Sequence, residues 1–412
     1  MKRMENRNVL LLIVILSCAN TAVYGLPYMK GQFYDIMLEA LRLNHTQLST
    51  LFSIYGFVSL GAYLLGGILA DMASLKKIMC AALMISGAMH MYAVTIPGYY
   101  SLCVIFALLA FTSVMAFYPA SMKILSGLRL HNGNGMVFGI YVALINVVGI
   151  LVVSGGLLVL RNVNDSIFVF QTVSGLYGMM HFVVLLLLIL FFKEENTEHR
   201  EKSGFINMEM LKYVLRDFRV WGIVGIVFFN YMLQSILTYV IPYFSQVYRM
   251  NEETILVISI FRVNIITILV SPLAGKIADK CGSAVRLIEY TFILTVIFGI
   301  VLLGSLFFAI PIGAAVAVVL IITVAATAGK SMNMVTISEM GIPEELKGTV
   351  IGVVAFLGYS PDAFFYSIAG GLLDQCQLTG YKIIFGIFLL CAVMGTFICR
   401  RLRACTMRSK ML

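Results

Sequence analysis

Charge is what this chain has least of. Of its 412 residues only 12% are Asp, Glu, Lys or Arg, against 60% that are hydrophobic. The mean hydropathy is +0.96. That composition excludes a soluble globular domain of this length, which needs far more polar surface to face water. The eight cysteines (Cys18, Cys80, Cys103, Cys281, Cys376, Cys391, Cys399 and Cys405) show no metal-ligand spacing. They read as small thiols buried in apolar helices, with no metal and no other cofactor expected. A nucleotide loop is lacking too. Gly329-Lys330-Ser331 has the ending of one, but Val324 stands where the leading glycine must be, and no strand precedes it. ATP is therefore not the direct energy source. Nor are His, Asp and Glu clustered at acid/base spacing, so an enzyme is not expected.

What fills the chain instead is apolar sequence in spans long enough to cross a bilayer, for which about 20 residues suffice as a helix. Twelve runs meet that standard, at roughly 9–37, 47–70, 78–97, 99–124, 135–160, 166–192, 218–247, 252–275, 285–308, 312–336, 348–373 and 378–400. They are numbered helix 1 to helix 12 below. Backbone groups in lipid must be satisfied internally, so each is expected to be helical. Residues 193–217 form the one charge-dense interior segment and divide the chain into a half at 1–192 and a half at 218–412. Within this linker the stretch from Ile206 to Leu215 is amphipathic and suits a membrane surface.

The net charge of +9 invites a nucleic-acid reading, and its placement argues against one. With the N-terminus in the cytoplasm, only Arg42, Arg161, Arg249 and Lys382 fall outside, and Lys30, Arg262 and Lys330 fall within helices. The other 22 of 29 basic residues are cytoplasmic. That asymmetry is a topology signal, placing both termini in the cytoplasm of a plasma or inner membrane. No nucleic-acid partner is expected. The first run is too long for a cleavable signal and is expected to be retained. Two sequons, at Asn44 and Asn164, lie on the outer side in loops too short to favour glycosylation.

One stretch occurs twice. Gly67-Ile68-Leu69-Ala70-Asp71 is followed by Lys76-Lys77, and Gly275-Lys276-Ile277-Ala278-Asp279 is followed by Lys280 and Arg286, 208 residues later. Each copy joins the second and third helix of its half. A second pair, Tyr24-Gly25-Leu26-Pro27-Tyr28 and Tyr239-Val240-Ile241-Pro242-Tyr243, relates helix 1 to helix 7. The repeated loop resembles the signature of the major facilitator superfamily of transporters, although Ala73 and the displaced Gly282 depart from it. The resemblance implies an all-α membrane protein of twelve helices in two pseudo-symmetric halves, rocking about a central site lined by helices 1, 4, 7 and 10. It implies a conformational latch in which Asp71 faces the start of helix 11 near Gly348 and Asp279 the start of helix 5 near Gly135. Gly67, Lys76, Gly275 and Arg286 complete that latch, the glycines allowing close helix approach.

Polar residues at helical spacing mark the same helices. Helix 1 offers Asn20, Tyr24, Tyr28, Gly31 and Asp35; helix 7 offers Asn230, Gln234 and Thr238; helix 10 offers Thr323, Thr327 and Lys330. Helix 4 is poorer, with Tyr118 and Ser121. Interhelical packing is the plain alternative for such groups. Pro27 and Pro242 remove N–H donors and are expected to bend helices 1 and 7.

Charges inside the membrane are costly and mark function by default. Arg262 lies about 15 Å into helix 8, at a depth matching Asp362 on helix 11. Its charge is answered either by Asp362 or by an anionic group on a substrate. Asp362 is the candidate for proton coupling, and Lys330 supplies a second cation. Glu289 is expected to pair with Arg286 or Lys280, Lys30 with Asp35, and His90 and His181 to be structural. The expected protein is a monomeric secondary transporter of a small organic solute, an anion favoured, working by alternating access with proton coupling. Substrate-binding residues would be Arg262, Tyr24, Tyr28, Asn230, Gln234 and Lys330. An exporter of amphipathic compounds, and a ligand-sensing homologue that does not transport, are the alternatives.

Overall fold

The computed structural model describes residues 6–72, 74–128, 134–163, 165–192 and 208–409. The basic N-terminus, Arg129, Asn164 and most of the linker lie outside the described residues, as do the side chains of Asp71 and Gly135. The described elements are helices throughout, as the absence of water in a bilayer demands.

Helix 1 is built from Asn6–Val23, Gly25–Tyr28, a 3-10 turn Met29–Gly31 and Tyr34–Ala40. Helices 2 and 3 are His45–Met72 and Leu75–Val94. Helix 4 passes from Tyr99–Ala110 through a wide π turn, Phe111–Phe117, into Tyr118–Gly127. Helices 5 and 6 are Asn134–Val163 and Ser166–Phe191. Helix 7 is Phe218–Ile236, a 3-10 turn Leu237–Tyr239, and Val240–Val247. Helix 8 has the same kind of interruption as helix 4: Glu252–Ile260, a π turn Phe261–Ile265, then Ile266–Cys281. Helices 9 and 10 are Ala284–Gly304 and Ile312–Met332. Helix 11 is split into Glu344–Gly358 and Pro361–Cys376, and helix 12 is Leu378–Ser409. Ten helices are each long and apolar enough to cross a membrane, and the bent pair in helix 1 makes an eleventh span. Helix 2, at 28 residues, exceeds the length a span requires.

The breaks follow from proline. Pro27 has no N–H to offer the preceding turn, and helix 1 bends there by 62°. Helix 7 tightens into its 3-10 turn just before Pro242, and Pro361 opens the second piece of helix 11. The linker's amphipathic stretch forms the helix Met208–Arg216, whose end is met by the Trp221 indole N–H donating to the Leu215 carbonyl at 2.8 Å.

Two compact units emerge. Unit 1 holds residues 1–43, 54–203 and 252–260; unit 2 holds 44–53, 204–251 and 261–412. Inside unit 1, helices 3 and 6 pack closely, and the Lys76 ammonium donates to the Ile189 and Phe192 carbonyls at 2.8 and 2.6 Å. A cation at a helix C-terminus is where the backbone dipole favours it. Inside unit 2, helices 9 and 12 are joined by charge. Here the expectation for Glu289 is corrected: its partners are Arg400, at 2.9 Å, and Arg403 on helix 12. Arg286 instead donates to the Cys281 carbonyl at 3.2 Å, closing its own loop. Glu289 lies on the buried face that helix 9 turns towards helix 12, which Arg286 does not share. Arg400 is 65% exposed and Arg403 25%. Arg400→Ala is therefore expected to lower stability by less than about 1 kcal/mol, with Arg403→Ala the costlier change; thermal unfolding in detergent measures both.

Helix 11 ends on Gly370-Gly371-Leu372-Leu373-Asp374, and unit 2 shows why. A Cβ on Gly370 would collide with the His45 carbonyl and the Ser49 side chain, so only glycine lets helix 11 lie against the first turn of helix 2. One turn later, Asp374 accepts from the N–H groups of His45 and Thr46, at 3.1 and 2.7 Å, and from the Thr46 hydroxyl at 2.6 Å. It caps a helix distant in sequence. Asp374→Ala is expected to cost about 0.5–2 kcal/mol, the value of a lost N-cap. Faster hydrogen exchange confined to residues 45–50 reads it out.

Candidate functional site

The repeated loop has a geometry of its own. A Cβ at Gly67 or Gly275 would meet nothing within 4 Å, so the close approach expected of them is not made here. In helix 2 it falls to Gly66, whose Cβ would lie 2.8 Å from the Met115 carbonyl of helix 4. Asp279 is exposed. Gly348 too has open space beside it.

Unit 1 presents tyrosines. Tyr24 and Tyr28 straddle the bend of helix 1 with ring centroids 5.7 Å apart, edge to face, and Tyr28 meets Tyr55 of helix 2 in the same way at 6.1 Å. Tyr55 donates to the Ser113 hydroxyl at 2.8 Å, since that hydroxyl already donates to the Leu109 carbonyl. Ser113 belongs to the π turn of helix 4, whose widened backbone carries it there. Tyr63 and Tyr118 form a second edge-to-face pair at 6.3 Å. Tyr28 and Tyr118 are 42% and 41% exposed, while Val23 and Leu26 beside them are fully buried. Tyr28 thus faces open space, as do Leu10 and Val14 earlier in helix 1. Lys30 is buried with its ammonium 5.3 Å over the Tyr28 ring.

Unit 2 presents charge. Arg262 stands in the π turn of helix 8, only 6% exposed, and its guanidinium donates to the Leu237 carbonyl at 3.1 Å. That carbonyl lies in the 3-10 turn of helix 7, so the cation of one irregular segment meets the backbone of another. Asp362, also 6% exposed, accepts from the Ser235 hydroxyl at 2.9 Å and from Tyr231 at 3.2 Å. Ser235 and Tyr231 come from helix 7, one turn apart. Lys330 is a cation within the electrostatic reach of Asp362; it is exposed and sits 5.9 Å from the Tyr231 ring centroid. Tyr231 therefore links the two, its hydroxyl on the carboxylate and its ring beneath the ammonium.

The remaining expected residues divide. Asn230 is buried and donates to Asn333 at 2.7 Å, and Thr323 is spent on the Val319 carbonyl. Gly329 of helix 10 fits between Asn230 and Thr291, with room for no side chain. These are packing contacts among helices 7, 9 and 10. Gln234 is half-buried one turn beyond Asn230. Sequence reasoning missed Tyr231, Ser235, Tyr55 and Tyr63. Tyr231 and Ser235 lie on the same helix 7 stretch as Asn230 and Gln234, displaced by one residue, and helix 2 was read only for its signature loop.

With the geometry in hand, comparison with known proteins is informative. Residues 9–366 match the sequence profile of the Major Facilitator Superfamily. The chain is 26% identical over 395 residues to the inner membrane protein YihN of Escherichia coli K12, covering 94% of this chain and 93% of that one. It is 24% identical over 370 residues to the inner membrane protein YqcE of the same organism, covering 88% and 87%. The nucleoside transporter NupG superposes with a TM-score of 0.71 at 11% identity, over 97% of this chain and 99% of that one. An inward-facing bacterial homologue of the human lysosomal transporter Spinster does so at 0.66 and 13%, over 96% of each.

Proposed function

This chain belongs to the major facilitator superfamily, and from that premise we propose that the solute it carries is a small organic anion. Its coarse function is secondary transport across a membrane, without enzymatic chemistry. The observation that carries the finer reading is Arg262. A guanidinium keeps its charge at any attainable pH and offers five N–H donors in a planar fork. Arg262 is held in the π turn of helix 8 by the Leu237 carbonyl, and a cation placed at such depth suits the anionic group of a solute. Lys330 adds a second, exposed cation in the same unit. Unit 1, taken by itself, offers tyrosine ring faces and hydroxyls of the kind that suit an uncharged part of an organic solute. Asp362 is the proton-coupling group in this reading, and Asp71 and Asp279 remain the proposed cytoplasmic latch, with both termini on that side.

The test is a thermal-shift screen of purified protein against carboxylates, phosphate esters, zwitterions and neutral metabolites. Stabilisation follows mass action, about 2.7 kcal/mol at a hundred times Kd. Anions are expected to supply the hits; hits confined to neutral or cationic compounds defeat the proposal.

A further inference from the structure

Within unit 1 the bend of helix 1 is held from outside the helix. The amide N–H of Leu26 would, in an unbroken helix, donate to the Ala22 carbonyl four residues earlier. Beside Pro27, which has no N–H, it donates to Nε2 of His90 on helix 3, at 3.2 Å. His90 Nδ1 lies 2.8 Å from the Ser86 carbonyl. A carbonyl only accepts, so Nδ1 carries the proton and Nε2 the lone pair that receives Leu26. The same logic applies to His181 of helix 6, where Nδ1 donates to the Tyr177 carbonyl at 2.7 Å and Nε2 is a buried lone pair with no recorded partner. Both histidines are wholly buried, their rings 4.6 Å apart.

The surroundings are fitted to this contact. The ring of Tyr177 lies flat against Gly25, where a Cβ would come within 2.5 Å of it. A Cβ on Gly87 would press on His181 at 2.9 Å, and one on Gly178 on Met91 at 2.7 Å. The glycines let helices 3 and 6 approach until the two imidazoles touch. Helices 3 and 6 thus place an acceptor at an amide of the bend.

We infer that His90 is a positioning residue: by accepting the Leu26 N–H it sets the bend of helix 1, and so the angle at which Tyr24 and Tyr28 are presented to the solute. The inference rests on the proposal that these tyrosines face the solute, but its test does not. Were the bend to straighten during the cycle, Leu26 would donate to Ala22 and the imidazole would lose its donor. His90 is then a two-position contact and not packing alone.

Three variants of the full chain in lipid nanodiscs decide it, read by hydrogen exchange of the Leu26 amide. His90→Gln puts an acceptor near the position of Nε2; His90→Asn keeps only the contact to Ser86; His90→Phe fills the space with no acceptor. Phe and Asn are expected to speed Leu26 exchange at least tenfold with helices 3 and 6 unchanged, while Gln stays within threefold of the parent. If Phe and Asn fail to fold and Gln folds, the same rescue is read as yield and supports the role. If Gln behaves as Phe does, or if Phe leaves Leu26 exchange within threefold, His90 is packing and the inference falls. None of these outcomes depends on the solute being an anion, which the thermal-shift screen decides separately.

Discussion

Arg262→Ala is expected to weaken binding of an anionic ligand by about ten- to a hundredfold, and to reduce transport with it. Each hydrogen bond to a charged group contributes about 1.5–3 kcal/mol, and about 1.4 kcal/mol is a factor of ten in affinity. Arg262→Lys keeps the charge but not the fork, so a carboxylate bound by two parallel N–H groups should lose roughly half of that energy. The rival account makes Arg262 a structural counter-ion of Asp362. It predicts that Ala at both positions restores what Ala at Arg262 removes, because an unanswered buried charge is the costly state. Under the first account Asp362 is held by the hydrogen bonds from Tyr231 and Ser235, with Lys330 a cation within its reach. The double variant is therefore expected to remain impaired. Binding measured by calorimetry with the best anion from the screen, across the three variants, separates the accounts; full recovery in the double variant removes Arg262 from the binding site.

The fold was legible because bilayer physics leaves so few choices. Runs of about 20 apolar residues must be helices, and each of the twelve runs is one. Pro27 announced the bend of helix 1, and Pro242 stands just after the 3-10 turn of helix 7, since a missing N–H is a local fact that tertiary context cannot restore. The π turns of helices 4 and 8 carry no such mark. Phe111–Phe117 and Phe261–Ile265 contain neither proline nor glycine, and an extra residue in a helical turn is stabilised by contacts made later, such as Ser113 with Tyr55.

The site was legible by type more than by partner. An Arg, an Asp and a Lys within apolar runs stand out in sequence because their cost in a membrane is known, but who answers whom depends on helix rotation. Tyr231, one residue and about 100° on from the candidate Asn230, is the helix 7 group that meets Asp362. The same limit explains Glu289. Spacing along the chain offered Arg286 and Lys280, whereas the partners are more than a hundred residues away on helix 12. The role of His90 was out of reach for a related reason: its partner is a backbone N–H, exposed by a bend whose angle no sequence pattern states.

Asp362→Asn is expected to uncouple transport from protons while leaving the protein folded. The substitution keeps the shape of the side chain and one of its two acceptors, the amide oxygen replacing the carboxylate oxygen that meets Ser235 or the one that meets Tyr231. What it removes is a group that can be ionised in one step of the cycle and neutral in another. The proposed coupling has Asp362 give up its hold on Lys330 when an anion arrives, so that one proton would accompany one negative charge. For such a stoichiometry a gradient of one pH unit corresponds to about 1.36 kcal/mol, or about tenfold accumulation. In proteoliposomes with an acidic exterior, the parent is expected to concentrate the anion by that order and the Asn variant to bring it only to equal concentration on both sides. Exchange of labelled for unlabelled solute should persist in the variant, since it needs no net proton movement. Lys330→Ala should have the complementary defect, a loss of affinity with coupling retained. Accumulation by the Asn variant equal to that of the parent under the same gradient would exclude Asp362 as the coupling group and leave its contacts with helix 7 as its whole role.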